Sequence, residues 1–326
     1  MNENRDGSVA LGVVGCASIA RRRMLPSMLR QPLIDVVAVA SRTPAKAAAF
    51  AAEFNCEAVT GYDELLKRDD LDAVYIPLPP GMHPEWTIKA LRAGKHVLCE
   101  KPFAATRPEA LQAVTVAREE GLLLMESFMF LHHSQHTAIA KLISDGVIGE
   151  LHSFSSEFGF PPLPAGEDRY LTRHASALLE VGVYPVRAAQ LYLGGELDVL
   201  GAHLRPARDG GLDVGGSALL SAPSGVTAQL TFGLTHFYRC EYTLWGSEGK
   251  LSLSRAFTTP DTHSPVVRIE RQDHVEELTL PADQQFVNIS GAFADAILKG
   301  NDFAPHGDAI LRQADLIDGI RKSAMR

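Results

Sequence analysis

The chain has 326 residues, 46% of them hydrophobic and 21% charged, and its 31 Lys+Arg against 39 Asp+Glu leave a net charge of −8. That length suits two domains with ample buried core, and the acidic excess argues against a nucleic-acid surface, which needs clustered cations, although a local basic pocket for an anionic small molecule stays compatible with it. No apolar run approaches the roughly 20 residues of a bilayer span, residues 1–8 lack the apolar core of a signal peptide, and the four cysteines (Cys16, Cys56, Cys99, Cys240) form no CxxC pair, as expected of free thiols in a reducing cytoplasm.

In chain order, residues 10–14 are predicted as strand, 19–29 as helix and 34–40 as strand. Residues 43–54 follow as an alanine-rich helix with Pro44 in its first turn. Strand 72–76, helix 84–93 stopped by Gly94, strand 96–99, helix 108–120 stopped by Gly121 and strand 122–125 continue the series. Strands alternating with helices predict a doubly wound parallel sheet, a Rossmann-type dinucleotide domain over residues 1–128. Beyond residue 128 the rhythm changes. Helix 137–144 leads to strand 151–160, the loop Pro161-Pro-Leu-Pro164 and helix 178–193. Strands are then predicted at 199–204, 216–222, 226–232, 238–245, 250–253, 266–270 and 275–280, before helices 286–298 and 308–324. This is an α+β domain over 129–326 with one large open, mainly antiparallel sheet covered on one face, and it is assigned to substrate binding and oligomerisation.

The first strand-to-helix turn reads Gly12-Val-Val-Gly15-Cys16-Ala17-Ser18-Ile19-Ala20. A dinucleotide site wants G-x-G-x-x-G there, so that backbone can approach the pyrophosphate at a helix N-terminus. Here the frame is Gly15-x-Ala17-x-x-Ala20, compatible with a cofactor turn or with an ordinary tight turn of another α/β protein. The second strand ends on Ser41-Arg42, where an NAD site usually has the carboxylate that binds the ribose diol. A hydroxyl and a guanidinium suit a 2′-phosphate, with Lys46 one turn further on, so NADPH is the expected cofactor; the alternative is a solvated loop arginine. Pro77-Leu78-Pro-Pro80 forms a rigid turn able to pack under a nicotinamide, and His83 either caps the next helix or lines the cofactor site. Arg21-Arg22-Arg23 reads as a solvated helix face. His132, His133 and His136 have no carboxylate or cysteine at ligand spacing, so no metal is expected.

Glu100-Lys101-Pro102 closes the strand at 96–99, and Glu180-Val-Gly-Val-Tyr184-Pro185 opens the helix at 178. Lysine and tyrosine are the two groups a ketone reductase needs to move a proton. Glu180 and Tyr184, four residues apart, share one side of a helix. The plainer alternatives are a core aromatic and a structural ion pair.

Taken together, these residues resemble the Gfo/Idh/MocA oxidoreductase family over the whole chain, Glu100-Lys101-Pro102 being the family's most specific motif and its proline peptide often cis. Stretches such as Val14-Gly-Cys-Ala-Ser-Ile-Ala20, Ala73-Val-Tyr-Ile-Pro-Leu-Pro79, Leu124-Met-Glu-Ser-Phe-Met-Phe-Leu-His-His133 and Gly182-Val-Tyr-Pro185 are similar to NADPH-dependent 3-ketoreductases of deoxysugar biosynthesis. The resemblance implies reduction of C3 in a nucleotide-linked 3,4-diketo-2,6-dideoxyhexose, usually carried on dTDP, by a homodimer or homotetramer. It implies Tyr184 as general acid, Lys101 as the cation that tunes the phenol and polarises the carbonyl, and Glu180 orienting Lys101 or the sugar. It also implies a cofactor shell of Gly15, Cys16, Ala17, Ser18, Ile19, Ser41, Arg42, Pro77, Leu78, His83, Glu100, Lys101 and Arg169. One departure stands out: where the family has Gly-Gly-Gly-x-Leu-x-Asp, this chain has His174-Ala-Ser-Ala-Leu-Leu-Glu180. Two other readings stay open, a free-sugar or polyol dehydrogenase of the same fold and a non-catalytic NADP sensor; a sensor is expected to lose the lysine or the tyrosine, and this chain keeps both.

Overall fold

The β/α alternation builds a six-stranded sheet in the order β3-β2-β1-β4-β5-β6. Its strands are β1 (Val9–Val14), β2 (Ile34–Ser41), β3 (Glu57–Thr60), β4 (Ala73–Ile76), β5 (His96–Glu100) and β6 (Leu124–Ser127), all paired in parallel. Every residue of β1 and β4 is buried, which explains their continuous apolar runs: a parallel sheet with helices on both faces has no wet side. The computed structural model describes residues 7–162, 176–207 and 212–325. Met1–His132 pack with Phe286–Leu311 as one unit, and His133–Gln285 with Arg312–Arg326 as a second.

The helices of the first unit begin and stop where their sequence signals place them. Pro44 opens α2 (Pro44–Phe54). Thr106 and Glu109 form a capping box on α5 (Arg107–Glu120), and Gly121 closes it at φ +66°; such a cap contributes about 1 kcal/mol. The helix after β1 starts as a π turn, Ala20–Met24, and continues as α1 (Leu25–Met28), with Arg21–Arg23 exposed. Two short elements escaped the sequence reading, β3 and α3 (Tyr62–Leu66). β3 is an edge strand with no fully buried residue, so it carries no hydrophobic period; it exists because its backbone pairs with Ala38–Ser41 of β2. α4 (His83–Arg92) completes the layer.

The second unit contains α6 (Ser134–Ser144), β7 (Leu151–Gly159), α7 (Val183–Leu193) and β8 to β14, at Asp198–Pro206, Asp213–Ser221, Thr227–Gly233, Arg239–Gly246, Lys250–Ser254, Val266–Glu270 and Val275–Thr279. The eight strands lie in the order β14-β13-β12-β11-β7-β10-β9-β8. Neighbours are antiparallel except β7 and β10, which run parallel; the long connection between them, holding α7, β8 and β9, permits that crossover. Alternation is strict along the central strands. Phe154, Phe158, Leu230, Phe232, Tyr242, Leu244, Leu251, Leu253, Val267 and Ile269 are buried on one face, each large apolar side chain contributing about 1.5–3 kcal/mol. The other face carries Glu157, Thr231, Glu241, Thr243, Ser252 and Arg268, all at least partly exposed.

The predicted helix at 178–193 is continuous but begins as a π turn, Leu178–Gly182, before α7. Ser176 Oγ donates to Asp213 Oδ1 (2.7 Å) and Leu178 N to Asp213 Oδ2 (2.8 Å), so a strand carboxylate anchors the helix start. Gly182 lets the turn lie against the sheet, since a Cβ there would meet the Phe232 ring at 3.0 Å. α8 (Gln285–Lys299) and α9 (Ala304–Ala324) end the chain. Among the described residues no helix is long and apolar enough to cross a membrane.

Candidate active site

β1 lies between β2 and β4, the point at which the order of a doubly wound sheet reverses and where ligands gather beyond the carboxyl ends of the strands. The predicted cofactor residues of the first unit follow the ends of β1, β2, β4 and β5. Gly15 turns at φ +114°, a dihedral that favours glycine, and a Cβ on it would stand 2.8 Å from Leu78 Cδ2 and push that side chain aside. Gly15 N donates to Ala40 O at 3.0 Å, holding the turn against β2. Cys16 is buried, Ala17 and Ile19 are half-buried, and Ser18 is exposed. Ala20 is fully buried, filling the third motif position with a side chain small enough to pack. Burial pushes the Cys16 thiol up, against the opposing pull of Lys46.

At the end of β2, Ser41 is buried and its Oγ accepts from Thr43 N at 3.2 Å, while Arg42 and Lys46 extend into solvent. No carboxylate occupies this strand end, where the sequence reads Ser41-Arg42.

The Glu100-Lys101-Pro102 turn is braced on three sides. Tyr75, fully buried on β4, donates its hydroxyl to Glu100 Oε1 at 2.7 Å. Phe103 N donates to Glu126 Oε1 at 2.8 Å. His83 Nδ1 lies 2.8 Å from Pro102 O, and its Nε2 lies 2.6 Å from Leu78 O. The Lys101-Pro102 peptide is cis. Burial raises the Glu100 carboxyl, while the Tyr75 hydroxyl and the Lys101 charge pull it back; burial next to Glu100 holds the Tyr75 phenol well above its ordinary range. The capping expectation for His83 is corrected. No side chain caps α4; the ring is fully buried and ties the Leu78 and Pro102 segments together. Burial lowers the proton affinity of that imidazole, against the pull of the two carbonyls.

In the second unit, Tyr184 is 6% exposed, its ring edge-on to Phe158 (5.1 Å between centroids) and tilted against Phe257 (5.7 Å). Two aromatic neighbours fix a side chain that has only two rotatable torsions, and so fix where its hydroxyl stands. The π turn that contains Glu180 immediately precedes α7, and such turns recur at functional sites. Glu180 is half-buried. Arg169, His174 and Ala175 lie outside the described residues; Ser176, the last residue of the departure from Gly-Gly-Gly, is the one bonded to Asp213.

His136 is held in a buried polar network. His136 Nε2 donates to Ala256 O at 3.0 Å and Nδ1 accepts from the Tyr242 hydroxyl at 2.9 Å, with Tyr192 Oη 2.5 Å from Tyr242 Oη. Burial holds the His136 imidazole down at about 3, so it is neutral and of one tautomer. Sequence reasoning missed Tyr75, Glu126 and Asp213 as supports of the site. Tyr75 and Glu126 look like strand residues, and only their partners distinguish them.

Residues 9–128 match the oxidoreductase family with an NAD-binding Rossmann fold, GFO_IDH_MocA, and residues 136–252 match the GFO/IDH/MocA C-terminal domain. A dTDP-3,4-didehydro-2,6-dideoxy-alpha-D-glucose 3-reductase from Actinomadura kijaniata is 52% identical over 97% of this chain and 96% of its own length. One of the same name from Saccharopolyspora spinosa is 50% identical over 96% of each chain. The crystal structure of a 3-ketoreductase from Actinomadura kijaniata in complex with TDP-benzene and NADP superposes with a TM-score of 0.90, at 51% identity over 97% of this chain and 98% of that one.

Proposed function

The chain belongs to the GFO/IDH/MocA oxidoreductase family, and from that premise we propose that it reduces the C3 ketone of a dTDP-linked 3,4-diketo-2,6-dideoxyhexose with NADPH. The full-length likeness to dTDP-sugar 3-reductases carries this reading, and the retention of both Lys101 and Tyr184 supports it. Residues 1–128 are assigned to the cofactor and 129–326 to the substrate and assembly.

The residues present fit NADP: Gly15 turns at φ +114° and sets no Cβ between the backbone and a ligand, and the end of β2 offers Ser41 and Arg42 in place of a carboxylate. When bound, the nicotinamide supplies the hydride. Gly15 to Ile19 hold the pyrophosphate on backbone amides at the helix start. Ser41 and Arg42 hold the 2′-phosphate; Pro77 and Leu78, tied to His83, form the floor of the ring site; Glu100 orients Lys101; and Arg169 completes the cofactor shell. Tyr184 gives its phenol proton to the C3 oxygen. Lys101 polarises that oxygen and favours the phenolate left behind. Glu180 orients Lys101 or the sugar.

Turnover of a dTDP-diketosugar generated in situ, followed by NADPH oxidation, tests the assignment; a chain that reduces only free sugars overturns it. The same assay reads cofactor choice. NADPH is expected to be preferred over NADH, and Arg42→Ala to lose that preference by roughly tenfold to a hundredfold, the worth of one charge-assisted bond to phosphate. Equal kcat/KM for the two cofactors in the native chain would refute the role of Arg42.

The open sheet face supports an oligomer. Trp245 is 63% exposed, Val275 50%, Leu219 38% and Val266 37%, and apolar surface of this kind on a broad flat face marks an interface. A homodimer joined through this face, or a tetramer built from such dimers, is expected by light scattering at micromolar concentration; a monomer would exclude it. The free thiols of Cys16, Cys56, Cys99 and Cys240 are consistent with a cytoplasmic setting.

A further inference from the structure

A chain of net charge −8 that takes a nucleotide sugar needs a local cation for the diphosphate. Arg255 stands out in the second unit. It follows β12 directly and adopts φ +52°, the left-handed conformation that side chains other than glycine avoid. Strain of this kind persists only where the surroundings impose it, and it concentrates at functional sites.

The surroundings do impose it. Thr259 Oγ1 donates to Arg255 O at 2.5 Å, Ala256 N donates to Cys240 O at 2.9 Å, and Phe257 N donates to Cys240 Sγ at 3.3 Å. Ala256 O accepts from both Gln135 Nε2 (3.1 Å) and His136 Nε2 (3.0 Å). A buried polar network therefore holds the backbone that presents an exposed arginine. The guanidinium stacks 5.5 Å above the Tyr238 ring. Among the described residues Arg255 has this aromatic partner and no carboxylate. By contrast, Arg239 and Arg268, on the opposite face of the sheet, are each closed by two acids.

Ring contacts link Arg255 to Tyr184: the guanidinium lies on Tyr238, Tyr238 meets Phe160, Phe160 meets Phe158 at 5.0 Å, and Phe158 meets Tyr184 at 5.1 Å. Phe160 and Tyr238 are in ring contact at 5.7 Å. Phe257, two residues after Arg255 and so within about 7 Å of it along the backbone, packs on Tyr184.

Resting on the proposed function, we infer that Arg255, seated on Tyr238, receives the diphosphate of the nucleotide-sugar substrate. A guanidinium fork matches phosphate oxygens bidentately, and a ring beneath it leaves its N–H edges free for the ligand. The aromatic contacts that join Arg255 to Tyr184 within one unit suit a hexose that joins the diphosphate at C1 to a reacting C3.

The test is calorimetric titration of dTDP into the full-length protein loaded with NADP. Arg255→Ala is expected to weaken dTDP by about tenfold to a hundredfold, Arg255→Lys by less, and neither to change NADPH affinity. In turnover the loss should fall on KM for the dTDP-sugar and spare kcat. Arg255→Gly separates recognition from folding, since glycine accepts φ +52° without strain: it should bind dTDP as weakly as Arg255→Ala and unfold no earlier than the native protein. Native dTDP affinity in both Arg255→Ala and Arg255→Gly overturns the inference and leaves the proposed reaction standing. A native protein that fails to bind dTDP at all overturns the inference together with the dTDP-sugar assignment.

Discussion

Tyr184→Phe is expected to slow turnover of the dTDP-diketosugar by roughly 10²–10⁴-fold, the usual worth of a positioned general acid. The substitution removes one oxygen and keeps the ring, so the contacts with Phe158 and Phe257 survive and the thermal midpoint should move little. Nothing in the phosphate turn at Gly15 changes, so NADPH binding measured by fluorescence should stay native. The loss should appear in kcat, because the hydroxyl acts on the carbonyl oxygen only as charge develops there. If Tyr184→Phe keeps a near-native kcat, water or another side chain is the acid, and the role of Tyr184 is wrong even with family and cofactor right.

Lys101→Ala should lose at least as much, because in the proposed mechanism it takes away both the carbonyl contact and the cation that stabilises the phenolate. The turn itself should hold: Glu100 stays on Tyr75, Phe103 N on Glu126, and His83 on Pro102 O. A loss in this variant is therefore chemical rather than conformational, which unchanged NADPH affinity and an unchanged circular dichroism spectrum would verify. The two losses should not add, since the residues act on one proton transfer; the double variant should fall within about tenfold of the worse single variant. Full multiplication of the two losses would show that Lys101 and Tyr184 work independently and would sink the relay.

Much of this was legible along the chain because it depends on neighbours in sequence. Gly15 announces a tight turn, Gly94 and Gly121 announce helix ends, and the change from strand–helix alternation to successive strands after β6 announces a second kind of domain. The π turns at Ala20–Met24 and Leu178–Gly182 look like ordinary helix in sequence, since the residue types are the same and only the winding differs. The short edge strand β3 lacked the apolar period on which strand prediction relies. His83 looked like a cap because it begins a helix, yet its partners are carbonyls five residues before it and 19 after it.

The fold class, the tight turn at Gly15, the lack of a carboxylate after β2, and Lys101 and Tyr184 as candidates were all readable from the chain alone. Each of these is a local pattern: a period of two or 3.6, a glycine at a turn, a residue type at a strand end. What steadies those groups depends on contacts between segments far apart in the chain. Tyr75 reaches Glu100 across 25 residues, Ser176 reaches Asp213 across 37, and His136 reaches Tyr242 across 106; Gly182 makes room for Phe232. A side chain's composition is the same whether it faces solvent, a carbonyl or a ring. Its hydrogen-bond partner and its desolvation are set by which strands and helices pack together, and that choice is made by burial summed over the whole unit rather than by any stretch of the chain.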